Sequence, residues 1–329
     1  MPSPIHILPD KPALILAPME GVTDAPMRAL QGATGAFTYA VSEFIRVAQM
    51  VPPPSVFERH LPELRHDGRT PTGLPVQVQL LGGDPGRLAR AALVAHRAGA
   101  TAIDLNFGCP TRTVNRHDGG ATLLQYPTRI REIVRAIREA LPREVPVSAK
   151  LRLGWDDVDA IFENAAMAAE GGAAWLTVHA RTRTQGYAPP VYWPLVGRVR
   201  ELLPIPVIAN GDIWTLAGFR QCRDESGCRH FMLGRGALAN PGLARAIAAE
   251  LGLAEPAPRE THWPNLMRSL LAWSHAYGAE HATRAVHRMK QWLHMASKYG
   301  KFRHFDVVKR VKDSHELYEV LRAVTLQPQ

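Results

Sequence analysis

The chain has 329 residues, 46% of them hydrophobic, which is enough for one large core and a small appended unit. No stretch approaches the ~18 consecutive apolar residues of a membrane span. Cys109, Cys222 and Cys228 are too few and too irregularly spaced for a disulfide framework or a zinc site, so we expect reduced thiols, a cytoplasmic location and no metal, and the net charge of +9 favours a polyanionic partner.

The first ten residues carry prolines and no basic-then-apolar pattern, so no secretory leader is expected. An apolar run at 13–17 predicts the first strand. It leads into Ala17-Pro18-Met19-Glu20-Gly21, not the G-x-G-x-x-G turn of an open dinucleotide-binding sheet. Short runs rich in Val, Ile and Leu follow at 39–44, 76–80, 102–106, 147–151, 175–179, 206–209 and 231–233. Helical patterns separate them, as at 87–98, 128–140 and 160–170. Eight strands alternating with helices over about 240 residues predict a closed (β/α)₈ TIM barrel in preference to an open doubly wound sheet.

We place the barrel at 1–250 and a small helical domain at 255–329. Pro256, Pro258 and Pro264 mark a linker-like stretch, and helices are predicted at 266–277 and 283–299. In the second, Val286, Met289, Leu293 and Ala296 form an apolar stripe, with Arg284, Arg288, Gln291 and Lys298 elsewhere. Residues 281–312 hold nine Lys or Arg and one acid, Asp306, a net +8 that leaves about +1 for the rest of the chain. A merely soluble surface usually mixes signs, so this block suggests a nucleic-acid partner.

Polar or reactive residues stand at the C-terminal end of every predicted strand, the face where barrel enzymes gather their chemistry. They are Glu20; Glu43 and Arg46; Gln79; Asn106 and Cys109; Lys150 and Arg152; His179 and Arg181; Asn210-Gly211-Asp212; and Gly234-Arg235-Gly236. In Asn106-Phe107-Gly108-Cys109-Pro110 the thiol can serve as nucleophile or proton donor, or be a small buried hydrophobe; the residues alone leave both open. For Cys222 and Cys228 the buried reading prevails. The two glycine turns after the last strands suit a phosphate, with Arg235 as its cation. Lys150 can neutralise negative charge in a pocket, since an unpaired buried ammonium is costly. His179 is a hydrogen-bond donor or a structural strand end. Gly119-Gly120-Ala121 is a loop that closes over a ligand, or a plain connection.

Together these segments resemble the tRNA-dihydrouridine synthase family. The likeness also runs through Gly21-Val22-Thr23-Asp24, Gln77-Val78-Gln79-Leu80, residues 104–110 and Lys150-Leu151-Arg152-Leu153-Gly154-Trp155. It continues in His179-Ala180-Arg181-Thr182, Gln185-Gly186-Tyr187 and Ile208-Ala209-Asn210-Gly211-Asp212. The resemblance implies FMN across the barrel mouth, reduced by NADPH. Its holders would be Pro18, Met19, Glu20, Gln79, Lys150, His179, Asn210, Gly211, Asp212, Gly234 and Arg235. It further implies hydride delivery to C6 of a uracil, proton donation to C5 by Cys109, and a hydrogen bond to the base from Asn106.

Met19-Glu20-Gly21, Gly119–Leu124 written as Gly-Gly-Ala-Thr-Leu-Leu, and Arg288-Met289-Lys290-Gln291-Trp292-Leu293 are similar to the bacterial branch that modifies U16 of the tRNA D-loop. On that basis Arg46, Arg152, Arg288, Lys290 and Lys309 would contact RNA, mostly at phosphates. No obligate protein partner is expected, and a monomer is. Phe107 departs from the small residue usual before Gly108, and residues 298–312 match loosely. Two other readings compete. A flavin barrel acting on a free pyrimidine, like a dihydroorotate dehydrogenase, has no use for the basic tail; a non-catalytic RNA-binding barrel would be colourless and leave tRNA unchanged.

Overall fold

Continuous apolar runs become strands buried on both faces, and each pairs in parallel with the next. In the computed structural model, which describes residues 5–115, 119–256 and 261–325, the strands are β1 (Ala13–Leu16), β2 (Tyr39–Arg46), β3 (Val76–Leu81), β4 (Ile103–Phe107), β5 (Val147–Arg152), β6 (Trp175–His179), β7 (Val207–Asn210) and β8 (His230–Leu233). Pairing of β1 with β8 closes the barrel, so the open-sheet alternative falls. Several strands run a residue or two past their predicted ends: β2 reaches Arg46, β5 Arg152 and β7 Asn210, each ending on a candidate site residue.

The intervening helices are α1 (Ala25–Gly32), α2 (Pro54–His60), α3 (Pro85–Arg97), α4 (Arg112–Asn115), α5 (Pro127–Ala140), α6 (Ala160–Glu170), α7 (Trp193–Leu202), α8 (Leu216–Ser226), α9 (Arg235–Ala239) and α10 (Leu243–Glu250). Their starts follow local chemistry. Asp24 caps α1 by accepting from Met27 N at 3.2 Å, and Asp84 caps α3 by accepting from Arg87 N at 2.7 Å, each ahead of a proline in the first turn. In α5, Ile130, Ile133, Val134 and Ile137 recur at helical spacing and all are buried against the barrel. Ile5 and Ile7 join Ile15, Tyr39, Trp175, Ile208 and Met232 in a separate apolar cluster inside the barrel.

Beyond the barrel lie α11 (Trp263–Ala276), α12 (Ala279–Tyr299), α13 (Phe305–Val308) and α14 (Ser314–Thr325). Pro258 of the expected linker falls outside the described residues. The buried stripe of α12 is Ala285, Met289, Trp292, Leu293 and Ala296. Val286 is only half-buried, and Trp292, absent from the predicted stripe, is central: its indole N–H donates to Leu238 O at 2.8 Å. Val22, Met27, Leu30 and Leu238 of the barrel share one core with Met267, Leu270, Leu293, Phe302 and Leu317. The helices thus sit against the barrel mouth through apolar burial. Among the described residues no helix is long and apolar enough to cross a membrane.

Candidate active site

The C-terminal ends of the strands surround a cavity of about 520 Å³, a size suited to a cofactor-scale ligand. Part of its wall is α12, through Gln291, His294, Met295, Lys298 and Tyr299. All the residues assigned to a flavin from the sequence line it: Pro18, Met19, Glu20, Gln79, Lys150, His179, Asn210, Gly211, Asp212, Gly234 and Arg235. Cys109, Asn106 and Arg152 line it too.

Cys109 sits on a loop braced from two sides. Oδ1 of Asn106 accepts from the amides of Gly108 at 3.0 Å and Cys109 at 2.9 Å, which also settles the orientation of that amide group. Nδ2 of Asn106 donates to Oε1 of Gln79 at 2.9 Å, and Nε2 of Gln79 donates to Asp104 at 2.7 Å. Ser148 and Gln77 extend this chain through the barrel interior. From the other side, Ala121 N donates to Cys109 O at 3.1 Å. Gly120 has φ +62°, and a Cβ there would lie 2.8 Å from Val114 and 3.2 Å from Cys109 Cβ. The Gly-Gly-Ala segment is therefore a buttress for the cysteine loop. Sγ of Cys109, half-buried, lies 3.2 Å from Oγ1 of Thr111. Cys222 and Cys228 are buried away from the cavity, and burial pushes both thiols up, Cys228 to about 11.

The adjoining wall is cationic. Lys150, on β5, makes no side-chain hydrogen bond or ion pair among the described residues; burial, then Arg152, pull it down to about 8. Burial and the cations Arg152, Lys150, Arg181 and Arg235 hold His179 well below the ordinary histidine range, so its imidazole is neutral. Its Nδ1 is buried without a partner among the described residues. Arg152 is 3% exposed and donates to the carbonyls of Gly108 at 2.8 Å, Thr182 at 3.0 Å and Gly186 at 2.8 Å. It ties the cysteine loop to the loop after β6 and is a cavity residue, not a surface one.

The first turn is set by Thr23, whose hydroxyl accepts from Met19 N at 2.9 Å. Glu20 stands at the mouth. Partial burial, then the nearby carboxylate of Glu43, push it up to about 7. Asn210 donates to Met232 O at 2.8 Å, joining the ends of β7 and β8.

The residues read as RNA contacts are not brought together. Arg46 is exposed, its nearest partner Thr113 O at 3.4 Å, and Lys309 is exposed and paired with Asp306. Arg288 is 13% exposed and donates to Asp24 of the barrel at 2.8 and 3.0 Å, and Lys290 donates to Val311 O at 3.0 Å. The open cations of the basic block are Lys298, Lys301, Arg303, Arg310 and Lys312. Asp104, Ser148, Tyr187, Trp214 and Tyr299 were not singled out from the sequence as site residues. For Asp104 and Ser148 the signal was present: polar residues in the middle of two strands, which face each other in register.

The dihydrouridine synthase (Dus) family model matches residues 15–326. The chain is 45% identical over 286 residues to a tRNA-dihydrouridine(16) synthase of Pseudomonas putida, covering 87% of this chain and 88% of that one. It is 42% identical over 314 residues to a protein of the same name from Cupriavidus necator, covering 94% and 97%. Among solved structures, histamine dehydrogenase from Rhizobium sp. 4-9 superposes with a TM-score of 0.55 at 16% identity, over 82% of this chain and 50% of that one. At that identity the likeness concerns the barrel fold.

Proposed function

The chain belongs to the dihydrouridine synthase family, and on that premise we propose that it reduces the C5–C6 double bond of a D-loop uridine in tRNA, at position 16, with bound FMN and with NADPH as reductant. Position 16 follows the names of the relatives. One observation carries the reading: a single cavity joins Cys109, on a braced loop, to a cationic wall with a neutral imidazole.

The residues fit a flavin mononucleotide. Lys150 and Nδ1 of His179 lack partners among the described residues, as groups awaiting a polar ligand do. Gly211 has no room for a side chain: it has φ +116°, and a Cβ would come within 3.0 Å of the His179 ring, so the turn after β7 packs directly on the imidazole. When bound, FMN supplies the hydride and NADPH restores it. The chain does the rest. Pro18, Met19, Glu20, Gln79 and Asn210 would hold the ring system. Lys150 and His179 would serve the electron-rich part of the flavin, and Gly211, Asp212, Gly234 and Arg235 would hold its phosphate. The target uridine turns out of the tRNA fold into the cavity. Asn106 orients its uracil and Cys109 gives the proton to C5.

Residues 1–250 act as the catalytic domain and 255–329 as the recognition domain, in a cytoplasmic monomer with no obligate protein partner. Arg46 and Lys309, with the open cations of the basic block, meet RNA phosphates. Arg288 ties the helical domain to the barrel through Asp24, Lys290 braces it internally through Val311, and both reach RNA only by sharing these partners. Mapping dihydrouridine position by position in tRNA from cells with and without the gene tests the function. Loss at position 16 supports it; loss at another position moves the target, and no loss overturns the reading.

Lys150 gives a pH test. Its ammonium helps an anionic ligand while protonated, so FMN affinity holds below about pH 8 and declines above it. The expected fall is about three- to tenfold between pH 7.5 and 9.5. Lys150→Met should bind more weakly with a flatter profile in fluorescence titrations. An unchanged slope would show that another group titrates.

A further inference from the structure

We propose that Arg181 is a positioning residue for the phosphate end of the cavity: it cancels the charge of Asp212, which can then hold Arg235 without repelling the anion that Arg235 binds. The proposal rests on the flavin reading of the same cavity. Asp212 has φ +53°, a left-handed conformation adopted by few non-glycine residues, and follows Gly211 in the turn after β7. That turn leaves its carboxylate 20% exposed in the cavity wall, where a lone negative charge opposes any phosphate.

Arg181, fully buried behind it, grips both carboxylate oxygens. Nη1 donates to Oδ1 at 2.6 Å, Nη2 to Oδ2, and Nε reaches Pro190 O at 3.3 Å. This planar fork occupies both oxygens at once, a geometry that lysine does not reproduce. Nη2 of Arg235 lies 3.4 Å from the same Oδ1. Its guanidinium packs over the rings of Tyr187 at 4.1 Å, Trp214 at 4.9 Å and Tyr299 at 5.2 Å, the last two stacked on each other at 4.8 Å. Arg235 is thus fixed by one edge and by its faces, with donors left for a ligand. Two guanidiniums and one carboxylate sum to +1. Without Arg181 the sum is zero, and the carboxylate, as exposed as Arg235, offsets the one cation left for the ligand.

The test compares FMN with riboflavin, which lacks the phosphate, in fluorescence titrations of the full chain freed of flavin. Arg181→Met should weaken FMN by about tenfold or more and riboflavin by less than about threefold. Adding Asp212→Asn to that variant should restore most of the FMN preference, because the uncancelled carboxylate is then gone. Equal weakening of both ligands, or a double variant as poor as the single one, overturns the role of Arg181. Should Arg181→Met fail to fold, Arg181→Lys keeps the charge and should hold the preference within about threefold of wild type; a larger loss counts against cancellation. A wild-type chain that does not prefer FMN overturns the flavin reading and this proposal with it. Preference in the wild type that survives Arg181→Met overturns this proposal alone.

Discussion

Cys109→Ala should lower dihydrouridine formation by about 10²–10⁴-fold, the range for loss of a general acid, while flavin binding and flavin reduction by NADPH stay near wild type. The split follows from the geometry. The side chain of Cys109 lies at the cavity, whereas its backbone braces the loop through Asn106 and Ala121, contacts that alanine retains. Thr111, 3.2 Å from Sγ, loses a weak partner and nothing else. Stopped-flow reduction of the bound flavin and single-turnover reoxidation by tRNA separate the two half-reactions. Wild-type reoxidation in the variant would remove the thiol from the chemistry. Joint failure of both half-reactions would make Cys109 a structural support.

The ring of cavity-lining residues was legible because barrel geometry converts order along the chain into position. Whatever follows each apolar run lands at the same mouth, so Gln79, Lys150, His179 and Arg235 meet although they are far apart in sequence. The role of Gly120 was not legible. A glycine pair reads equally well as a hinge or a tight turn, and only the approach of Val114 and Cys109 decides. Charge counting went furthest astray in the tail. It registers Arg288 and Lys290 as free cations, but partners such as Asp24, 264 residues away, are set by docking of the helices and not by local pattern. Trp292 was missed for a related reason. A stripe drawn from aliphatic residues passes over a large aromatic whose indole N–H finds a buried carbonyl on another element.

Arg28→Met should cost about 3–5 kcal/mol of stability, because it leaves the carboxylate of Glu63 buried and uncompensated. Both side chains are 0% exposed, and the pair is bidentate, with Nε–Oε1 and Nη2–Oε2 each at 2.8 Å. Replacing one member strands a charge, whereas replacing both need not. Arg28→Met with Glu63→Leu should therefore recover most of the loss in urea unfolding. A single variant less than about 1 kcal/mol below wild type would mean that water reaches Glu63. The consequences extend to the mouth of the barrel. Arg28 also donates to Thr23 O at 2.8 Å, and Thr23 holds the Met19 turn at one edge of the cavity. Next to Thr23, Asp24 caps α1 and pairs with Arg288 of α12. One buried guanidinium thus underlies both the proposed flavin edge and the docking of the helical domain. The single variant should lose FMN retention and tRNA affinity together, at a temperature below that of global unfolding. If the two losses separate, Arg28 supports only the element whose function fails.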